Sequence, residues 1–203
     1  IVVNADDFTS THLAIIAGTG AGKSYLAAVI VEELLKPHNA AAVLIIDPHG
    51  EYETLSEIPN NPEFQREDSD LNYRPTVRII GVNELRIRRN ELSTEDVLHL
   101  LGEGLSVPQE VIVRAALSEL GRNKKNWTLS DLLHAVDKVD TSIRRMPEDD
   151  SDDIYATSKQ ALKMRISGNL GRNSVFHDYE HTDLRDLLHP GHCSVVQLGG
   201  LGP

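Results

Sequence analysis

Apolar residues in this chain occur in short unbroken runs, separated by longer segments of helical periodicity. Residues 13–16 are apolar and are followed, after a glycine-rich turn, by a helical pattern over residues 25–36. The apolar run at 41–47 is typical of a strand buried on both faces of a parallel sheet, and 76–81 is the next predicted strand. The polar stretch 51–75 is predicted to be mostly connector.

The middle of the chain has the pattern of a helical bundle. Ser93 starts one predicted helix as a cap, and Pro108, in a first-turn position, starts a second. The patterns at 128–136 and 154–170 predict a third and a fourth helix, with an acidic loop at 146–153 before the fourth. The second helix is predicted to bury a stripe formed by Val111, Ile112, Ala115, Ala116 and Leu120.

A strand pattern returns at residues 193–198. The sequence therefore predicts an α/β fold in which about four helices are inserted between strands of a parallel sheet. We assign residues 1–92 to the first part of the core with three strands, 93–175 to the helical insertion, and 176–203 to the return to the core sheet.

Composition and charge narrow the class of protein. The 203 residues are 40% hydrophobic and carry a net charge of −11, from 31 acidic and 20 basic residues. This acidity argues against a surface that coats nucleic acid generally, although local basic clusters occur at 86–89, 122–125 and 144–145. No apolar run approaches the roughly 18 residues of a membrane span, and we expect a soluble, cytoplasmic protein without membrane contact. Cys193, the single cysteine, is predicted to be a buried, inert thiol.

The glycine-rich turn has the pattern of a phosphate-binding loop. Residues 17–24 read Ala-Gly-Thr-Gly-Ala-Gly-Lys-Ser and lie between the predicted strand and helix. Its glycines allow backbone N–H groups to turn toward an anion, Lys23 can reach the β- and γ-phosphates, and Ser24 can bind Mg²⁺. Ala17 stands where the motif usually has glycine, which costs little if the tight bends fall on the later glycines.

A second motif, Asp-Pro-His-Gly-Glu-Tyr, occupies residues 47–52. It follows a predicted strand at the carboxyl edge of the sheet, where open α/β folds bind ligands. We assign Asp47 to catalytic support, with a Mg²⁺ contact through water as a further role, rather than to the main Walker B position. The alternative interpretation is a turn closed by Asp47 and Gly50, with both acids solvated.

Together these motifs resemble the central ATPase domain of HerA, within the HerA/FtsK group of hexameric DNA-pumping ATPases. The similarity rests on Ala-Gly-Thr-Gly-Ala-Gly-Lys-Ser-Tyr at 17–25 and Val-Leu-Ile-Ile-Asp-Pro-His-Gly-Glu-Tyr at 43–52. Ser-Val-Val-Gln-Leu-Gly-Gly-Leu at 194–201 extends it over nearly the whole chain. The resemblance implies a P-loop NTPase of the RecA-like, additional-strand type.

The resemblance also implies ATP and Mg²⁺ as cofactors, and a homohexamer that translocates double-stranded DNA and works with a NurA-like nuclease in DNA-end processing. Carried over to this chain, it implies that Gly22, Lys23 and Ser24 contact phosphates and Mg²⁺, with Asp47 and Glu51 near the γ-phosphate. Lys23, Asp47 and Glu51 are thus the expected catalytic residues. The expected nucleotide-binding residues are Gly18, Thr19, Gly20, Ala21, Gly22, Lys23, Ser24 and Tyr25.

Some family features are missing from this sequence. The family has a β-barrel before the phosphate loop, and a strand ending in Asp-Glu followed by an arginine finger after the strand at 193–198. No run of four apolar residues ending in Asp-Glu lies between Lys23 and Pro203. We therefore expect a fragment that binds ATP better than it hydrolyses it, and in which residues 13–16 expose apolar side chains.

Two other hypotheses stay open beside the motor that pumps duplex DNA. One is a HerA-like ATPase of a conjugation or antiviral system, which works with a different effector enzyme. The other is an oligomeric scaffold that binds ATP as a structural switch and has no motor activity. Stimulation of ATP turnover by duplex DNA would separate both motors from the scaffold.

The remaining chemistry-bearing residues carry weaker signals. A group of residue types that can bind zinc is formed by His177, His181, His189, His192 and Cys193. We favour solvated side chains over a zinc site for this group. Trp127 and the five tyrosines are too dispersed to form a base-stacking platform.

Overall fold

A computed structural model describes residues 12–67, 72–140 and 151–199, which divide into two compact units. Unit 1 comprises the described residues up to Leu85 and from Thr182 onward, and unit 2 comprises Arg86–His181. In chain order, unit 1 contains α1 (Lys23–Leu34), β1 (Val43–Asp47), β2 (Arg66–Glu67), β3 (Asn72–Tyr73), β4 (Thr76–Gly81), α6 (Leu184–Leu187) and β7 (His192–Gln197). Unit 2 contains β5 (Ile87–Arg88), α2 (Thr94–Leu101), α3 (Val107–Asn123), α4 (Leu129–Lys138), α5 (Ser151–Ile166) and β6 (Phe176–His177).

The main sheet of unit 1 is parallel, as predicted. Strand β7 lies between β1 and β4, so that Val195 pairs with Ile45 on one side and with Ile79 on the other. The inner residues of β7 are buried because both faces of the strand are covered: Cys193 and Val195 pack in a cluster with α1, and the hydroxyl of Ser194 donates to the Leu187 carbonyl of α6. Strand β1 is less covered than predicted, since Ile46 is 56% exposed.

The prediction of a strand at residues 13–16 is wrong for the described structure. Residues 12–18 have no regular secondary structure, and Ile16 is 92% exposed. None of the described strands pairs with this segment, so its backbone lacks the ladder that would hold it extended. The exposure of apolar side chains that was expected here is seen at Leu13 and Ile16.

The segment predicted to be connector contributes to the core of unit 1. It contains two 3₁₀ helices, Glu53–Asn60 and Pro62–Phe64, and the antiparallel pair of β2 and β3. Its apolar side chains pack with α1 and the sheet in a cluster formed by Val31, Leu35, Leu55, Ile58, Phe64, Cys193 and Val195. The prolines at 59 and 62 and the asparagines at 60–61 favour turns, which is why the sequence pattern of this segment indicated a connector.

Unit 2 is a helical bundle whose helices begin where the sequence supplies caps. Ser93 and Asp96 cap α2 reciprocally, and Thr128 and Asp131 do the same for α4. Helix α3 packs against α2, α4 and α5. The core includes Val97, Ile112, Val113, Leu117, Trp127, Leu132, Leu162, Ile166 and Leu170.

Two details of the helical prediction need correction. On α3, Val113 and Leu117 are buried, whereas Val111 is half-buried and Ala115 is exposed, because the helix packs against three neighbours rather than along one stripe. Helix α5 begins at Ser151, inside the predicted loop, and continues after Ile166 as a π-helical segment, Ser167–Gly171. The rest of that loop, 146–150, and the basic pair at 144–145 lie outside the described residues.

Candidate functional site

The glycine-rich loop leads directly into α1, and its bends fall on glycine. Gly20 and Gly22 have φ of 76° and 82°, a left-handed backbone conformation that side chains disfavour. The amide of Ala21 donates to the carbonyl of Gly18 at 3.2 Å, which closes the turn. Ala17 is not among the residues with positive φ.

The N-terminus of α1 suits an anion. No side chain caps it, and its first turn contains no acidic residue. The first N–H groups of a helix lack intrahelical partners, and the helix dipole makes this end positive. A Cβ built at Gly18, Gly20 or Gly22 would meet none of the described residues within 4 Å, so the loop is not packed against them at these positions. These features fit a phosphate group.

The side chains that follow the loop supply a cation and a hydroxyl. The ammonium of Lys23 donates to the carbonyl of Gly18 at 3.0 Å. The hydroxyl of Ser24 donates to Oε2 of Glu51 at 2.8 Å, which joins the two sequence motifs across 27 residues. Thr19 is exposed, and Tyr25 is 77% exposed. The structure thus brings Lys23, Ser24 and Glu51 to one end of α1.

Asp47, at the end of β1, is fully buried and bonded to the turn that follows it. Its Oδ1 accepts N–H bonds from His49, Gly50 and Glu51 at 3.2, 2.8 and 3.2 Å, and its Oδ2 accepts one from Tyr52 at 3.2 Å. Burial raises the pKa of Asp47, but these four backbone bonds outweigh it, so that the pKa lies below its ordinary value.

The geometry of Asp47 therefore matches the closed turn of the alternative interpretation, but Asp47 is buried rather than solvated as that interpretation expected. The hydrogen bonds that the structure describes for its carboxylate all go to residues 49–52, and none goes to Ser24 or Lys23. Asp47 is linked to Ser24 through this turn, since its carboxylate accepts the amide of Glu51 and the side chain of Glu51 accepts the hydroxyl of Ser24. Gly50, at φ 72°, supplies the left-handed residue that the turn requires.

The histidine and cysteine group does not converge in the described part of the chain. Nδ1 of His177 accepts backbone N–H bonds from Tyr179 and Glu180, and the rings of His189 and His192 lie 5.4 Å apart. Among the described residues no three His, Cys, Asp or Glu side chains are placed to hold a metal ion. Burial raises the pKa of the Cys193 thiol to about 12, which keeps it protonated and inert.

The basic cluster at 86–89 has a structural role that sequence reasoning missed. Arg89 is buried and donates to the carbonyl of Leu170 from Nε at 3.0 Å and from Nη2 at 2.9 Å. Its Nη1 lies 2.7 Å from Oδ1 of Asp178, which also accepts the amide of Leu129 at the start of α4. These partners are distant in sequence, so no local signal marks Arg89 as buried.

Comparison with known proteins gives a consistent result. The family model for the central domain of the helicase HerA matches residues 1–202. The chain is 30% identical over 193 residues to the DNA double-strand break repair helicase HerA of Sulfurisphaera tokodaii. The aligned region covers 94% of this chain and 35% of that protein. A probable helicase of Methanocaldococcus jannaschii is 29% identical over 168 residues, or 82% of this chain and 28% of that protein.

The chain spans about a third of the length of these two relatives. Among solved structures, VirB4 of Thermoanaerobacter pseudethanolicus aligns with 91% of this chain and 49% of its own, at 16% identity and a TM-score of 0.49. No helix in the described ranges has the length and apolar character of a membrane span. On the family match over residues 1–202, the chain belongs to the family of the HerA helicase central domain.

Proposed function

We propose that this chain is the ATP-binding core of a HerA-type ATPase that translocates double-stranded DNA. In this proposal the protein works as a homohexamer in the cytoplasm and takes part in DNA-end processing with a NurA-like nuclease. Family membership supports the class of protein. The observation that carries the proposal is the contact of Ser24 with Glu51 beside the open, uncapped N-terminus of α1.

The residues at this end of α1 fit a nucleotide with Mg²⁺. The loop offers backbone N–H groups and the Lys23 ammonium to phosphate oxygens. The Ser24 hydroxyl and the Glu51 carboxylate are hard oxygen donors of the kind that Mg²⁺ prefers. The residues that would surround the phosphates are Gly18, Thr19, Gly20, Ala21, Gly22, Lys23, Ser24 and Tyr25.

Each residue has a separable task in this arrangement. Lys23 offsets negative charge on the phosphates, and Ser24 and Glu51 provide oxygen ligands. Asp47 is a positioning residue, because its hydrogen bonds fix the turn that carries Glu51. When bound, Mg²⁺ would neutralise phosphate charge and so favour phosphoryl transfer.

An ATP titration tests the nucleotide site. Lys23→Ala should weaken ATP binding by at least about tenfold, because a charge-assisted contact contributes about 1.5–3 kcal/mol. Lys36→Ala is the matched control, since Lys36 lies just beyond the other end of α1 in an ion pair with Glu33, and it should leave binding unchanged. Tight ATP binding by Lys23→Ala would contradict the assignment of the phosphate loop.

A nucleotide-switched scaffold is the second candidate. The observation that favours it is Asp47, whose carboxylate is fully engaged by its own turn and so adds no free acid to the phosphate site. An ATPase assay separates the translocase from the scaffold. It measures ATP turnover by the protein as its source genome encodes it, with and without duplex DNA. A translocase is stimulated by DNA, whereas a scaffold binds ATP with turnover that DNA does not change.

A further inference from the structure

A cleft of about 440 Å³ lies in unit 2, where α5 passes into the π-helical segment. No acidic side chain is among the described residues that line it, although the chain as a whole carries a net charge of −11. The lining residues are Gln160, Lys163, Met164, Ser167, Gly168 and Arg172.

Two cations face this cleft. Lys163 lies 2.8 Å from Oδ2 of Asp137 in a pair whose side chains are 37% and 50% exposed, so the ammonium is only partly neutralised. Arg172, at the end of the π-helical segment, has neither an ion pair nor a side-chain hydrogen bond within the described ranges. Basic residues at a helix C-terminus are expected from the helix dipole, so charge alone does not define a binding surface.

The backbone next to the cleft is hydrogen-bonded to the rest of unit 2. The carbonyl of Leu170 accepts two hydrogen bonds from the buried Arg89, and Nδ2 of Asn169 donates to the carbonyl of Leu100 at 2.7 Å. On the outer side, a Cβ built at Gly168 would meet nothing within 4 Å, so a ligand can approach the backbone there. π-Helical turns occur frequently at functional sites. A preformed wall also lowers the entropy cost of binding.

We propose that this cleft binds the phosphate backbone of duplex DNA. The inference rests on the proposed function, which makes duplex DNA the substrate, and adds to it the residues that make contact. Lys163 and Arg172 would neutralise phosphates, with Gln160 and Ser167 as neutral hydrogen-bond donors. None of these groups needs to reach a base edge, so binding is independent of DNA sequence.

Fluorescence anisotropy with a labelled duplex of mixed sequence tests the proposal. Lys163→Gln combined with Arg172→Gln should weaken binding about tenfold, and should reduce the slope of log K against log salt by roughly 2. Arg122→Gln combined with Lys125→Gln removes two charges from another exposed site of unit 2 and should change affinity less than about twofold. Thermal melting confirms that each variant folds.

A single substitution tests the cleft by an expected gain of DNA affinity instead of a loss. Asp137→Asn removes the carboxylate that pairs with Lys163 and should strengthen DNA binding about two- to threefold. This variant keeps both cations, so it carries the test if the double variant fails to fold.

The outcomes separate the inference from the function on which it rests. If the unaltered protein binds duplex DNA and the cleft variant binds as tightly as the control, the cleft assignment is overturned and the proposed function stands. If Asp137→Asn leaves affinity unchanged or weakens it, the cleft assignment is likewise overturned. If the unaltered protein does not bind duplex DNA even at low salt, the proposed function fails and the cleft assignment fails with it.

Discussion

Both carboxylate oxygens of Asp47 accept hydrogen bonds from the backbone of the following turn. A buried carboxylate is costly unless it is well bonded, and four N–H donors offset that cost here. Because the pKa of Asp47 is lowered in the folded chain, its contribution to stability is present above the ordinary value of 3.8. It is lost as pH falls through the folded pKa.

Asp47→Asn should destabilise the protein and weaken ATP binding together. An amide nitrogen cannot accept the Tyr52 N–H bond, and a buried donor left unsatisfied costs about 1–3 kcal/mol. Urea unfolding measures the first effect, and ATP titration in the presence of Mg²⁺ measures the second.

Glu51→Gln is the control for this prediction, because Glu51 is exposed and is held by the turn rather than holding it. It should weaken the Mg²⁺-dependent part of ATP binding and change unfolding by less than about 0.5 kcal/mol. If Asp47→Asn weakened ATP binding without loss of stability, Asp47 would have a direct role at the ligand instead of a positioning role.

At the scale of elements, unit 2 is held together by the buried Arg89 and its partly buried ion pair with Asp178, as well as by its apolar core. Arg89 links the end of the π-helical segment to Asp178, and Asp178 in turn accepts the amide of Leu129 at the start of α4. Removal of Arg89 leaves the buried carbonyl of Leu170 without its two side-chain donors and the partly exposed Asp178 without its cation.

Arg89→Met should therefore destabilise unit 2 by about 2–3 kcal/mol, the size expected for lost hydrogen bonds from a charged donor to a buried acceptor. Arg88→Met is the neighbouring control, since Arg88 pairs with Glu91 at the surface, and it should cost no more than about 1 kcal/mol. The single tryptophan, Trp127, is buried in the core of unit 2 and reports its unfolding by fluorescence. Equal losses in the two variants would show that Arg89 contributes no more than a surface pair.

The sequence predicted elements whose signals are local. The strands of the main sheet contain apolar runs, which are unbroken up to Asp47 in β1 and interrupted by Arg78 in β4 and by Ser194 in β7. Helices α2 and α4 begin at capping residues three positions from their partners. The phosphate loop was likewise predicted from adjacent glycines followed by Lys23 and Ser24. The roles given to those two residues, and to Glu51, remain predictions.

What the sequence did not predict depends on contacts between distant residues. The partners of Arg89 lie 81 and 89 residues away, so its burial has no local pattern. Residues 13–16 have the composition of a strand but find no partner in the described sheet. The turn role of Asp47 was left as an alternative, because it depends on the backbone conformation of residues 49–52.

At the scale of the whole molecule, the net charge and the local distribution of charges have different effects on the interaction with DNA. A net charge of −11 repels DNA at long range, and this repulsion is screened as salt is added. Contacts between cations and phosphates also weaken with salt. Under the proposed function, DNA is therefore held by a local surface such as the cleft lined by Lys163 and Arg172, and the salt slope of the cleft variant measures that contribution.

Stability of the whole molecule at alkaline pH should depend on Cys193. Burial raises the pKa of this thiol from 9.0 to about 12 in the folded chain. Above about pH 9 the unfolded chain loses the thiol proton and the folded chain keeps it, so stability falls by up to about 1.4 kcal/mol per pH unit. Cys193→Ala lacks this contribution.

Urea unfolding of both proteins at about pH 8 and about pH 10, followed by circular dichroism, isolates the effect. At the lower pH the alanine variant should be less stable by about 1 kcal/mol, because the loss of sulfur leaves a small cavity beneath the sheet. At the higher pH the difference should shrink by about 1 kcal/mol, since only the unaltered protein is penalised for burying a neutral thiol. Burial also raises the pKa of Tyr73, but that residue is present in both proteins and cancels in the difference. A difference that stayed constant with pH would mean that the Cys193 thiol is not shielded from solvent by β7 and its neighbours.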